Sequence, residues 1–223
     1  HSGSGLSNSF FNSQDPFESL GSYTYDMALR VIGGDPVHAK KILETYARNQ
    51  SVARGEAQPQ TINQNYMPAN GVLKNIRIKH FTGEWWNQWD WTVDAGENAW
   101  IAIAALQYYA CVKDKKMLTF ALERADFLLR LQDQDGAIRL GPKGQWHESG
   151  DLSLYWNVKS VENNESALAF LDMLYQTMGE KKYQQAADRI YNWLMTMYDA
   201  DHHVFARGSS YQNSQWVKDG QDV

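Results

Sequence analysis

The feature that most constrains this chain of 223 residues is that it repeats itself. Glu97-Asn98 opens one long apolar stretch, and Glu162-Asn163 opens a second. The same spacing separates Arg124 from Arg189, and Asp135 and Asp201 are one position further apart. The run Lys113–Lys116 matches Gly179–Lys182 in role. A period of this length is a supersecondary unit that buries its apolar face only by stacking on its neighbours. The unit reads as inner helix, tight turn, outer helix, short extended return and long loop. Helices joined by tight turns pack antiparallel. The long loops therefore leave from one end and gather on one face, together with the N-termini of the inner helices.

Periodicity gives the elements. The first helix is predicted over Ser22–Ile32, with Tyr25, Ala28, Leu29 and Ile32 as its apolar stripe, and Gly33-Gly34 stops it. Asp35-Pro36 restarts a helix with a cap-then-proline signature. That helix runs to about Gln50 on Val37, Ile42, Leu43 and Tyr46. Residues 51–71 read as a loop, Val72–Ile78 as a short strand, and His80–Asp94 as a Trp-rich loop. Ala95–Val112 is apolar nearly all round, as befits a buried inner helix. Met117–Gln132 is its amphipathic partner, with Arg124 and Arg130 on the wet side. Val161–Met178 and Lys182–Met197 repeat the pair. Residues 1–15 read as a flexible segment opening on an expression-tag remnant, HSGSG. Residues 16–223 read as one all-α domain of about three tandem antiparallel hairpins.

Composition narrows the function. Twenty-one basic against 26 acidic residues argues against a nucleic-acid surface. No apolar run reaches the roughly 20 residues of a membrane span. The single cysteine, Cys111, rules out an internal disulfide and lies in an apolar run that reads as core. No dinucleotide, P-loop or serine-hydrolase signature is present, nor HExxH, and no cofactor or metal is implied. Nine Trp and twelve Tyr are the positive hint.

Inner helices that open with YD-x-AL, ENAW and ENN, and outer helices followed by D-x-DG, resemble the six-hairpin glycosidase-like superfamily. The likeness covers roughly Ser22–Gly208. It implies an (α/α) toroid of the kind that hosts glycoside hydrolases, some lyases and epimerases. At the repeat length that Glu97 and Glu162 mark, the chain holds between three and four hairpins, so it reads as a partial toroid. Further C-terminal hairpins, or self-association, would complete the ring. The resemblance implies an oligo- or polysaccharide partner and a periplasmic or secreted location.

Glycoside hydrolysis needs two carboxyl groups, about 5–5.5 Å apart for retention and about 6.5–9.5 Å for inversion. Glu97, Asp94, Glu162 and Asp26 are the catalytic candidates, with Asp90 and Glu165 nearby in sequence. Acidic residues also favour helix N-termini for electrostatic reasons alone. Trp85, Trp86, Trp89 and Trp91 crowd into one loop; Trp146, His147, Tyr155 and Trp156 follow in the next. Indoles offer flat apolar faces to sugar rings, and Asn163 offers amide hydrogen bonds. These are the substrate-binding candidates, the alternative being that the indoles plug the mouth of the barrel. A lyase or epimerase acting on an acidic glycan is the second enzymatic reading, with Lys159 or Arg139 neutralising the substrate's charge. A non-catalytic sugar-binding or interaction scaffold is the third.

Overall fold

The computed structural model describes residues 21–52, 75–77, 92–145 and 149–220. Three helical hairpins follow in order: α1 (Thr24–Gly33) with α2 (Pro36–Val52), α3 (Ala95–Val112) with α4 (Lys115–Leu131), and α5 (Val161–Met178) with α6 (Lys181–Met197). The inner helices α1, α3 and α5 line up side by side, and α3 sits between the other two. Contact with α1, α2, α4 and α5 explains why α3 is apolar all round.

The two complete units share a template. Both inner helices have 18 residues and both outer helices 17. The offset between the units is constant, since Ala95 maps onto Val161 and Lys115 onto Lys181 at the helix starts. Each inner helix ends in a left-handed residue, Lys113 (φ 61°) or Gly179 (φ 71°). That residue's N–H donates to Tyr109 O at 2.8 Å or Tyr175 O at 2.7 Å. At the other pole the first N–H of each inner helix is clasped by its own return strand. Ala95 N donates to Leu140 O, and Val161 N donates to Arg207 O, both at 2.9 Å. The first hairpin turns at Asp35, whose carboxylate accepts from Val37 N and His38 N at 3.0 Å each. The bond from His38 leads in holding the Asp35 carboxyl below its usual range.

Short strands seal the ends. β1 (Gly21–Tyr23) pairs antiparallel with β2 (Asn75–Arg77). β3 (Val158–Ser160), which leads directly into α5, pairs with β6 (Gly208–Gln212), and β6 turns back into β7 (Gln215–Lys218). Between them β4 (Tyr198–Asp199) and β5 (Val204–Phe205) form a small hairpin. The bridge Gln132↔Ile138 is the same feature one unit earlier. The turn between those two residues needs Gly136. Its φ of 101° suits glycine, and a Cβ there would collide with the Arg189 carbonyl on α6.

Packing revises several sequence expectations. In α1 the buried stripe is Thr24, Met27, Ala28 and Val31, while Tyr25, Leu29 and Ile32 are exposed. The α3 face selects one of two apolar sides, which periodicity alone does not distinguish. In α2 Ile42, Leu43 and Tyr46 are core, with Ala39, and Val37 is exposed. Arg124 is fully buried rather than wet, its guanidinium 4.9 Å from the Phe120 ring centroid. Cys111 is exposed near the end of α3, beyond the packed turns. The helix starts also place Arg124 opposite Ile190, not Arg189. Arg189 instead donates to the Asp133 and Gln134 carbonyls. The strand expected over 72–78 is present at Asn75–Arg77. The loop expected over 51–71 lies outside the described residues except for the end of α2, as does the segment 1–15.

Candidate active site

The N-termini of α3 and α5 open onto one cleft of about 490 Å³. Asp94 precedes α3 in extended conformation and is 3% exposed. Its carbonyl accepts from the Asn98 side chain at 2.7 Å. Glu97 stands one residue into the helix from Gly96 and is half-buried, whereas Glu162 on α5 is exposed. Both line the cleft, as does Asp94. The positive ends of two helices lie beside these carboxylates and favour their charge.

Buried amides fix the backbone beneath the carboxylates. Asn164 Nδ2 donates to Ile138 O at 2.9 Å and to Ser160 O at 2.8 Å, while its Oδ1 accepts from Ile138 N at 2.6 Å. Gln145 grips Val93 in the same way, its Oε1 accepting from Val93 N at 2.6 Å and its Nε2 donating to Val93 O at 3.0 Å. Gly96 is required by close approach. A Cβ there would collide with Asn163 Oδ1, so the missing side chain lets Asn163 lie between the two helix ends.

Aromatic rings wall the cleft. Tyr25 and Trp100 meet edge to face with centroids 5.1 Å apart, and Tyr155 joins them in the lining. Trp100 and the exposed Tyr25 read from sequence as helix-core residues. The signal for Trp100 is its i+3 spacing from Glu97, which puts both on the same helix face. Asp26 is half-buried in the first turn of α1 and outside the cleft lining. Its charge and that of Glu97 both bear on Tyr46. Burial pushes the Tyr46 phenol well above its ordinary range, and the charges of Asp26 and Glu97 push it further.

Other candidates fall elsewhere. Trp156 lines a separate cavity, whereas its neighbour Tyr155 lines the cleft. Glu165 is exposed and outside the cleft lining. Lys159 and Arg139 are also outside it and already committed. Lys159 Nζ lies 2.7 Å from Asp135 Oδ2 and 2.8 Å from Asp133 Oδ2, and Arg139 Nη2 lies 2.8 Å from Asp133 Oδ2. Neither is placed to neutralise an acidic substrate in the cleft. Asp90, Trp85, Trp86, Trp89, Trp91, Trp146 and His147 lie outside the described residues. Among the described residues no group of three or more His, Cys, Asp or Glu side chains is placed to hold a metal ion. Among the same residues no helix is long and apolar enough to cross a membrane.

This hairpin arrangement has counterparts among solved structures. An alpha-amylase from Clostridium perfringens matches with TM-score 0.63 and 10% identity, over 96% of this chain and 56% of that one. D-mannose isomerase matches with TM-score 0.63 and 13% identity, over 91% and 52%. An inactive alpha-1,6-mannanase variant from Salegentibacter sp. HEL1_6, in complex with alpha-1,6-mannotetrose, matches with TM-score 0.56 and 14% identity, over 88% and 48%. The fold is that of these structures, a partial (α/α) toroid of tandem helical hairpins. The chain spans about half the length of the structures it matches. No protein-family model matches the sequence, and no curated protein matches it either.

Proposed function

We propose that the chain is part of a carbohydrate-active enzyme of the glycoside hydrolase type, exported to the periplasm or secreted, that cleaves an oligo- or polysaccharide in the α3/α5 cleft. One observation carries this reading: Glu97 and Glu162, from neighbouring inner helices, share a single cleft with Tyr25, Trp100 and Tyr155. A pyranose stacked on the aromatic wall would hold its glycosidic oxygen between the two carboxyl groups. Glu97 is assigned as the general acid. The assignment follows its place: Glu97 is the less exposed of the pair and lines the cleft with Trp100 on the same helix face. Glu162, open to solvent, is assigned as the base that activates water or as the nucleophile at the anomeric carbon. Asn163 would hold a ring hydroxyl between them.

The fold hosts both hydrolysis and isomerisation among its solved counterparts, so the site must decide the chemistry. The lyase reading depends on a cation beside the substrate, and Lys159 and Arg139 are engaged outside the cleft. The mannanase and amylase counterparts suggest alpha-1,6-mannotetrose and maltotetraose as first substrates. The test is release of reducing ends from either one. Glu97→Gln and Glu162→Gln should each lower the rate about 10²-fold or more while leaving sugar binding in place. Turnover at the wild-type rate in both variants would overturn the assignment.

A further inference from the structure

A second cavity, of about 560 Å³, draws its lining from residues adjacent in the chain to those that line the cleft. Chain neighbours serve the two spaces in turn. Leu140, Tyr155 and Ser160 line the cleft, whereas Arg139, Trp156 and Asn157 line the outer cavity. Trp216, from the β6–β7 hairpin, closes it.

The cavity has a fixed base and an uncommitted rim. The Arg139 guanidinium lies 4.3 Å from the Trp156 ring centroid and 5.2 Å from that of Trp216. It is anchored by Asp133 and by the Trp156 carbonyl, which accepts from Nη1 at 2.6 Å. Lys159 is fully buried beneath Trp216, 3.6 Å from its ring centroid, and is held by Asp133 and Asp135. Both indoles are thereby pinned in place. At the rim the Gln134 amide, the Tyr211 hydroxyl and the Trp216 indole N–H make no hydrogen bond to the described residues. Lys143, exposed and 5.5 Å from the Trp156 ring, has no ion pair among the described residues.

We propose that this outer cavity is a second glycan-binding site, which takes a pyranose unit of a polysaccharide against Trp216 and Trp156. Pinned aromatic rings surrounded by uncommitted amide, hydroxyl and ammonium groups are the chemistry that recognises a sugar: apolar C–H faces between hydroxyl groups. Buried Lys159 with Arg139 and Lys143 gives three cations against the two carboxylates of Asp133 and Asp135. The surplus sits on Lys143, so an acidic polysaccharide should be held more tightly than a neutral one. The site goes beyond the catalytic reading but rests on the same substrate class. Because the neighbours Arg139 and Leu140, like Tyr155 and Trp156, are split between the two linings, the sites are close enough for one polymer to occupy both and raise its local concentration at the cleft.

The test is electrophoresis of the full chain in native gels containing yeast mannan, soluble starch or polygalacturonate. Wild type and Glu97→Gln should be retarded equally by at least one polymer. Trp216→Ala and Lys143→Ala should bind that polymer about tenfold more weakly, while turnover of a tetrasaccharide stays within about twofold of wild type. Lys143 is a surface residue, so its variant tests the site even if Trp216→Ala perturbs the hairpin. Retardation unchanged in both variants, or absent from wild type in all three gels, overturns the second site. Tetrasaccharide turnover that is indifferent to Glu97→Gln overturns the catalytic reading instead, and a loss of retardation in Trp216→Ala would then still stand.

Discussion

The α3–α4 and α5–α6 hairpins are built on one backbone template and differ where each opens onto the cleft. With the helix starts aligned, Glu97 stands opposite Asn163, and Gly96 stands opposite Glu162. The carboxylate sits at the third helical position in one unit and at the second in the other. The smaller or neutral partner fills the complementary place, and Gly96 leaves the space that Asn163 occupies. A repeat that were strictly symmetric would give either two facing acids in the same register or a steric clash. The difference at these two positions turns a stacked scaffold into a cleft with two unlike carboxylates.

The sharpest way to break this comparison is to treat Glu97 and its counterpart alike. Glu97→Gln should cost at least about 10²-fold in turnover, and Asn163→Ala no more than about tenfold, measured as initial rates of reducing-end release. Equal losses would mean that the two positions do the same job. Next in size, Gly96→Ala should destabilise the fold by about 1–3 kcal/mol in urea unfolding, because the new methyl group displaces Asn163. Adding Asn163→Ala should restore most of that loss. One residue further along, the buried amides Asn98 and Asn164 stand at matched positions. Asn164→Ala strips two bonds from Ile138 and one from the Ser160 carbonyl and should cost about 2–3 kcal/mol in the same unfolding experiment.

At the opposite pole, Lys113→Gly should stabilise the chain by about 1 kcal/mol, and Gly179→Ala should destabilise it by a similar amount. Both residues occupy the same left-handed cap and only one is glycine. The smallest effect is electrostatic. Partial burial pushes the Asp133 carboxyl up, but the bond from Lys159 leads the opposing influences and leaves it below its ordinary range. A depressed carboxyl contributes stability above its unfolded-state pKa and loses it as pH falls through the folded value. Asp133→Asn should therefore flatten the acid limb of a stability–pH profile below about pH 4, measured by urea unfolding across the pH range.

The hairpins are legible in the sequence because their signals are local. The α3 and α5 boundaries at Ala95–Val112 and Val161–Met178 follow from apolar runs bounded by turn residues. Phase is not local. In α1 both sides carry apolar residues, so the choice of Met27 and Val31 over Leu29 and Ile32 is made by α3. Arg124 breaks the rule that charge marks the wet face, because its guanidinium stacks on Phe120 within the packed layer. The sequence match of Glu97 with Glu162 is one position out of structural register, since identical letters stand in for equivalent positions. Trp156 reads with the cleft because loops carry no periodicity to show which way a side chain leaves the backbone. Trp216 joins it in the outer cavity from a hairpin on the far side of α5 and α6 in the chain.

The bond from Ala95 N to Leu140 O and that from Val161 N to Arg207 O make each hairpin a closed buckle. A buckled unit holds its own ends, so duplication of one segment could lengthen the array without rewriting the joints on either side. Amide exchange at 95 and 161 would then report the opening of two separate latches, as expected of a protein assembled by adding links rather than by folding around a single indivisible centre.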